Sequence, residues 1–210
     1  MNPVMKDEHP SASTRLIREA ANISGPISDG KGEARALPAQ VSQLDRIPGL
    51  VQRAREGDRE EFGELYRIHH PSVFRLARFY LGEGAEDAVS EIFLRAWAGL
   101  PRYRDTGAPF AAWLYGIGRH VVADELARRR RTEPRAELPD GPAETPMEDR
   151  LVLAAAIERL PKEQRQVIEL KYLVGMTNPE LARAMDTTVG AVNAKQWRAL
   201  RALQGILEER

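Results

Sequence analysis

The residues best placed to do chemistry lie between Thr177 and Arg201, and the chemistry they fit is recognition of a polyanion rather than bond making. Thr177 with Glu180 three residues later forms a capping box that starts a helix, and Pro179 suits its first turn. Asp186-Thr-Thr188 separates this helix from the next, which is the spacing of a helix-turn-helix. Ala182 is small where the two helices must cross, and Val192 can plug the gap between them. Asp186 tolerates a left-handed turn, and Thr188 can cap the second helix. From Arg183 to Arg201 the charges are Arg183, Lys195, Arg198 and Arg201 against Asp186 alone, a local net of +3. Duplex DNA fits that shape and charge. An ordinary helical hairpin with a solvated basic face is the competing reading.

A second cluster pairs aromatics with cations. Tyr103, Phe110, Trp113 and Tyr115 lie in or just after the loop Pro101–Pro109, which leads into a helix ending in Arg128-Arg-Arg-Arg131. Stacking surfaces beside cations suit single-stranded DNA, at about 1 to 3 kcal/mol per stacked base, although Phe110 and Trp113 also fit a core. Gly116 and Gly118 each cost this helix up to about 1 kcal/mol relative to Ala, so a backbone or a ligand is expected to approach there. Catalytic constellations are missing. His69-His70 is adjacent rather than i, i+4 and cannot chelate from one helical face, and His69 sits on an apolar stripe as a core residue would. Gly25 to Gly32 nearly spells a phosphate-binding loop, but Gly32 lacks the hydroxyl for Mg²⁺ and no strand precedes it. Gly82-Glu-Gly84 lacks the third glycine and the strand of a dinucleotide fingerprint. With no cysteine, thiol nucleophiles, disulfides, iron–sulfur clusters and Cys-ligated zinc are excluded. The chain is read as no enzyme, with no cofactor and no metal.

The elements that must carry these groups are helices. Asp58 and Glu61 form a second capping box, after which Phe62, Leu65, Tyr66, His69, Val73, Leu76, Ala77 and Tyr80 recur on one face; Pro71 is expected to kink or split that helix. After Gly84, Val89, Ile92, Phe93, Ala96, Trp97 and Leu100 form an apolar stripe, leaving Glu86, Asp87, Ser90 and Glu91 on a polar, acidic face. A third helix carries Phe110, Trp113, Leu114, Ile117 and Val121. Four more helical patterns follow: Leu151 to Leu160, Glu163 to Val174, Asn178 to Met185, and Val189 to about Leu207. No alternating strand pattern appears, so the fold class is all-α.

Composition sets the boundaries. Thirty-one basic and 31 acidic residues cancel, so any argument for a charged partner must be local. Residues 1–47 contain no aromatic residue and hold Pro3, Pro10, Pro26 and Pro38; they read as a disordered extension apart from a short helical pattern around Thr14 to Asn22. A first helical domain spans 48–131, a flexible linker 132–147, and a second helical domain 148–210. Between 132 and 149 six acids face Arg135 alone, a net of −5 that resembles the charge density of a nucleic-acid strand. No apolar run approaches the roughly 20 residues that span a bilayer, and the acidic N-terminus is no secretory signal. A cytoplasmic location without membrane insertion is expected.

These residues resemble a known family. Gly84-Ala-Glu-Asp-Ala-Val-Ser-Glu-Ile-Phe-Leu-Arg-Ala-Trp97, Leu100-Pro-Arg-Tyr-Arg104, Phe110-Ala-Ala-Trp-Leu-Tyr-Gly-Ile-Gly-Arg119 and Ala123 through Arg131 are similar to region 2 of bacterial extracytoplasmic-function (group 4) RNA polymerase sigma factors. Leu160-Pro-Lys-Glu-Gln-Arg165, Leu170-Lys-Tyr172, and Val174 through Ala182 to Val192 are similar to region 4. The resemblance covers about residues 48–208. It implies a transcription initiation factor that binds core polymerase, recognises the minus-10 and minus-35 promoter elements and helps melt the former. It implies core-polymerase contacts at Asp87, Ser90 and Glu91, with Ser90 where the family usually has Gln. The loop bearing Arg102, Arg104 and Asp105 would capture an extruded minus-10 base, Trp113 would flank the melted junction, and Arg119 and His120 would meet the upstream duplex, His120 replacing a common Asn. For minus-35 DNA it implies Thr188, Asn193, Lys195, Gln196, Arg198 and Arg201, with Asn193 replacing a common Lys and Asp186 the usual turn Gly. Core RNA polymerase and promoter DNA are the implied partners, and an anti-sigma factor is a third candidate. The acidic linker is expected to enter the polymerase's positively charged cleft, a solvated spacer being the alternative. A stand-alone helix-turn-helix regulator, or a helical protein-interaction scaffold, would account for fewer of these features.

Overall fold

A computed structural model describes residues 38–132 and 146–209. The extension before residue 38, with its helical pattern at Thr14 to Asn22 and the near-match to a phosphate loop, lies outside these residues, as does nearly all of the acidic linker. Helix α1 (Pro38–Arg55) begins inside the segment expected to be disordered. Ile47, Leu50, Val51 and Ala54 recur at helical spacing and are buried, so aliphatic residues supply the anchor that the missing aromatics did not.

The first domain continues with α2 (Arg59–Leu81), α3 (Ala85–Gly99) and α4 (Phe110–Thr132), with short 3-10 turns at Gly82–Gly84 and Leu100–Arg102. Asp58 caps α2 by accepting from the Glu60 and Glu61 N–H groups at 2.9 and 3.2 Å. The Glu61 carboxylate accepts from Arg53 Nε at 2.6 Å, so it ties α1 to α2. Helix α2 runs unbroken through Pro71, contrary to the expected split. The carbonyl that Pro71 leaves without a donor belongs to Arg67, and both residues are exposed, on the side of α2 where solvent can supply the missing donor. Leu65, Leu76, Ile92, Leu100 and Leu114 are fully buried where α2, α3 and α4 meet, each contributing about 1.5 to 3 kcal/mol by leaving water.

The second domain comprises α5 (Pro146–Arg159), α6 (Lys162–Ile168) with a wide π-type turn at Glu169–Val174, α7 (Asn178–Ala184) and α8 (Val189–Glu208). Leu170, Met176, Leu181, Ala182 and Val192 make a small core beneath α7 and α8. The larger core is continuous between the domains: Val152, Ile157, Ile168, Leu173, Leu203 and Leu207 join the buried residues of α1 to α4. Among the described residues no strand forms, so the fold is all-α with two helical domains packed together.

Candidate nucleic-acid interface

Caps and a single turn build the helix-turn-helix. The Thr177 hydroxyl accepts from the Glu180 N–H at 3.4 Å, and the Glu180 carboxylate accepts from the Thr177 N–H at 2.8 Å, closing the predicted capping box. Asp186 has φ 47°, the one non-glycine in the left-handed region among the described residues; a short polar side chain is what that position tolerates in place of glycine. Thr187 N–H then donates to the Ala182 carbonyl at 2.9 Å. The Thr188 hydroxyl accepts from the Ala191 N–H at 3.2 Å and starts α8. Ala182 and Val192 are both buried at the crossing.

Val192, Ala199 and Leu203 turn inward, which leaves Asn193, Ala194, Trp197, Arg198 and Arg201 on the open side of α8. Of the six residues expected to meet minus-35 DNA, Asn193, Arg198 and Arg201 are therefore on the exposed face. Asn193 Oδ1 accepts from Asn178 Nδ2 at 2.6 Å, which orients its amide. Lys195 Nζ lies 2.8 Å from the Glu163 carboxylate, Gln196 Nε2 donates to the Tyr172 hydroxyl at 2.8 Å, and Thr188 is occupied as the cap. Trp197, absent from the sequence-based set, is 62% exposed at the centre of that face, with the Arg201 guanidinium 5.5 Å from its ring centroid. Its spacing of four residues from both Asn193 and Arg201 was the available signal.

Of the two roles open to the aromatic residues, stacking platform or core, the core role holds for Phe110 and partly for Trp113. Tyr103 and Phe110 are buried and form a cluster with half-buried Trp113, with ring centroids 5.1 to 5.5 Å apart. Large aromatic area is better stabilised in the core than left wet. Arg102 and Arg104 are exposed, while Asp105 accepts from the Gly107 N–H at 2.9 Å and shapes the turn. His120 is exposed, with Nδ1 2.7 Å from the Gly116 carbonyl oxygen. Arg119 is not presented with this group: its side chain is 18% exposed and faces Glu158 and Glu169 of the second domain, at 2.9 and 3.3 Å. Arg128 and Arg129 both bind Glu125 and hold its carboxyl down at about 2, whereas Arg130 and Arg131 are exposed. A Cβ at Gly118 would lie 3.1 Å from Leu76 Cδ2, so the expected close approach there is made by core side chains; Gly116 has open space.

On α3, Asp87 and Ser90 are exposed and Glu91 accepts from Arg95 Nε at 2.6 Å. Leu94, 65% exposed, interrupts this polar face and was not among the expected contacts. His69 is buried, its ring centroid 5.4 Å from that of Phe110. Among the described residues no group of three or more potential metal ligands forms.

The Sigma-70 region 2 family model matches residues 65–132 and the Sigma-70, region 4 model matches 150–203. The ECF RNA polymerase sigma factor SigD of Mycobacterium tuberculosis is 36% identical over 183 residues, covering 80% of this chain and 86% of its own. The chain belongs to the ECF RNA polymerase sigma factors. Another relative, the ECF RNA polymerase sigma factor BldN of Streptomyces coelicolor, is 33% identical over 82% of this chain and 70% of its own. A solved structure of CnrH, in complex with the cytosolic domain of CnrY, matches with a TM-score of 0.54 and 30% identity over 79% of this chain and 98% of that one. The sigma factor described here is accordingly a transcription initiation factor that binds core RNA polymerase and directs it to promoters. Asp87 through His120 fall inside the region 2 match and Thr188 through Arg201 inside the region 4 match.

Proposed function

We propose that promoter selection by this sigma factor is divided between two faces, with core polymerase held by a third. The outer face of α8, with Asn193, Trp197, Arg198 and Arg201, enters the minus-35 major groove; Lys195, Gln196 and Thr188 orient the helix. Arg102, Arg104 and Asp105, together with Trp113, His120 and, once freed, Arg119 on α4, engage the minus-10 element. Asp87, Ser90, Glu91 and Leu94 on α3 dock core polymerase. The protein acts in the cytoplasm without catalysing a reaction of its own, and an anti-sigma factor is a natural regulator, as CnrH is captured with the cytosolic domain of CnrY. No helix among the described residues is long and apolar enough to cross a membrane.

One observation carries this reading: α8 keeps its inner residues buried while an exposed aromatic and two arginines stand together on the face a helix-turn-helix turns to DNA. Pull-down with core polymerase, together with binding of duplexes bearing candidate minus-35 elements, tests it. Capture of core with sequence-selective duplex binding supports the division of faces. Capture of core with no duplex preference would remove the role given to α8.

A further inference from the structure

Two domains that must engage separate promoter elements are here fastened by a buried polar cluster. Glu169 is fully buried in the wide turn after α6. Its two oxygens accept from the hydroxyls of Tyr80 on α2 and Tyr115 on α4, the latter at 2.5 Å. Arg119 on α4 lies over the Tyr80 ring and bonds Glu158 on α5 at 2.9 Å. Glu158 in turn accepts from Arg165 on α6 at 2.5 Å. Two helix ends are also capped across the seam. Arg75 on α2 donates to the Leu173 and Val174 carbonyls at 3.0 and 3.3 Å, and Arg150 on α5 donates to the Phe79 carbonyl at 2.6 Å. Each of these arginines satisfies carbonyls that a helix terminus leaves open.

The closure is poised rather than deep. Burial pushes the Glu169 carboxyl above its ordinary range, against the downward pull of Arg119 and the two tyrosine hydroxyls, so the buried carboxylate depends on keeping all three partners, and an amide in its place can neither pair with Arg119 nor accept from both hydroxyls. Arg119 Nη1 lies 3.3 Å from Glu169 without a hydrogen bond, so the pair is imperfectly satisfied. Arg119 is also the cation assigned to the upstream edge of the minus-10 element, and with its side chain 18% exposed and turned to Glu158 and Glu169 it is not presented to a phosphate while the seam is closed. Asp87 and Ser90, by contrast, stay exposed in the closed form.

Resting on the promoter reading of Arg119, we propose that Glu169 is a latch that holds the two domains closed and withholds Arg119 from minus-10 DNA until they separate. Core polymerase can dock on α3 of the closed form, and domain separation then frees Arg119. A ligand can shift such an equilibrium only through its different affinity for the two states, and polymerase, which must hold the domains apart on two promoter elements, has that preference.

The chain has no cysteine, so dyes at Glu83→Cys and Glu208→Cys, both at exposed positions, report the distance between the domains. Wild type, Glu169→Gln and the double variant Tyr80→Phe/Tyr115→Phe are compared by energy transfer, by circular dichroism and by binding of a forked minus-10 DNA without polymerase. The latch predicts high transfer in wild type that drops when core polymerase is added. In either variant it predicts lower transfer and forked-DNA affinity raised about five-fold or more, with that gain cancelled by Arg119→Ala. If Glu169→Gln loses its helical spectrum, the double tyrosine variant decides by the same readouts. Wild-type transfer in a folded latch variant, or low transfer in free wild type, would overturn the latch. Failure of wild-type holoenzyme to select a promoter would instead reject the promoter reading on which it rests.

Discussion

His69 sets a stability penalty that acid exposes. It lies on the inner face of α2 one turn from Leu65 and Val73, is 6% exposed, and its Nε2 has no hydrogen-bond partner among the described residues. Burial drives its pKa from 6.5 down to about 4. The folded state thus binds the proton less well than the unfolded state. The stability tied to neutral His69 is fully present above pH 6.5 and is lost as pH falls toward 4. At about 1.4 kcal/mol per unit the full window is worth about 3 kcal/mol, of which about 1 is gone by pH 5.5. Urea denaturation of wild type and His69→Phe between pH 7.5 and 4.5 isolates this group, because the other titrating residues are common to both. The wild type should lose about 2 to 3 kcal/mol more than the variant over that range. Parallel pH profiles, or a His69 ring resonance titrating near pH 6.5, would show that burial of His69 carries no such penalty.

Asp87→Arg should abolish capture of core polymerase while leaving the circular dichroism native, because an exposed charge on α3 is reversed without touching the core. Trp197→Ala and Arg198→Ala should each weaken minus-35 duplex binding; a base contact costs roughly 1 to 3 kcal/mol and relaxes one position, whereas a phosphate contact lowers the salt slope by about 1 in every sequence. Gly116→Ala should stabilise the fold by about 0.5 to 1 kcal/mol in thermal or urea denaturation, since its Cβ meets open space. Gly118→Val should destabilise it by about 1 to 3 kcal/mol, since the first added carbon already crowds Leu76 and Ile92.

What could be read without coordinates was what is local. The helix-turn-helix was legible because its caps at Thr177 and Thr188 and its turn at Asp186 lie within a dozen residues, each with its own chemical preference. The acidic face of α3 followed from helical period alone. Arg119 was different, since its partners stand 39 and 50 positions away in the second domain and no periodicity announces them. Lys195 and Gln196 carry the right chemistry for DNA but flank the buried stripe of α8, where Glu163 and Tyr172 meet them. Trp197 reads as a core residue by type, and its spacing of four from Asn193 and Arg201 points outward only weakly until α8 is seated on Val192, Ala199 and Leu203. Pro71 signalled a break that its exposed side of α2 never required.

Run-off transcription decides whether this chain directs polymerase to promoters through two separate readers. The full-length protein is combined with core polymerase on fragments of the host genome, and the transcript starts are mapped. A discrete set of starts is expected, absent with core alone, that share two sequence elements at one spacing and lose the upstream element's preference in Arg198→Ala. Starts indistinguishable from those of core alone, despite stable association with it, would mean that the chain does not select promoters.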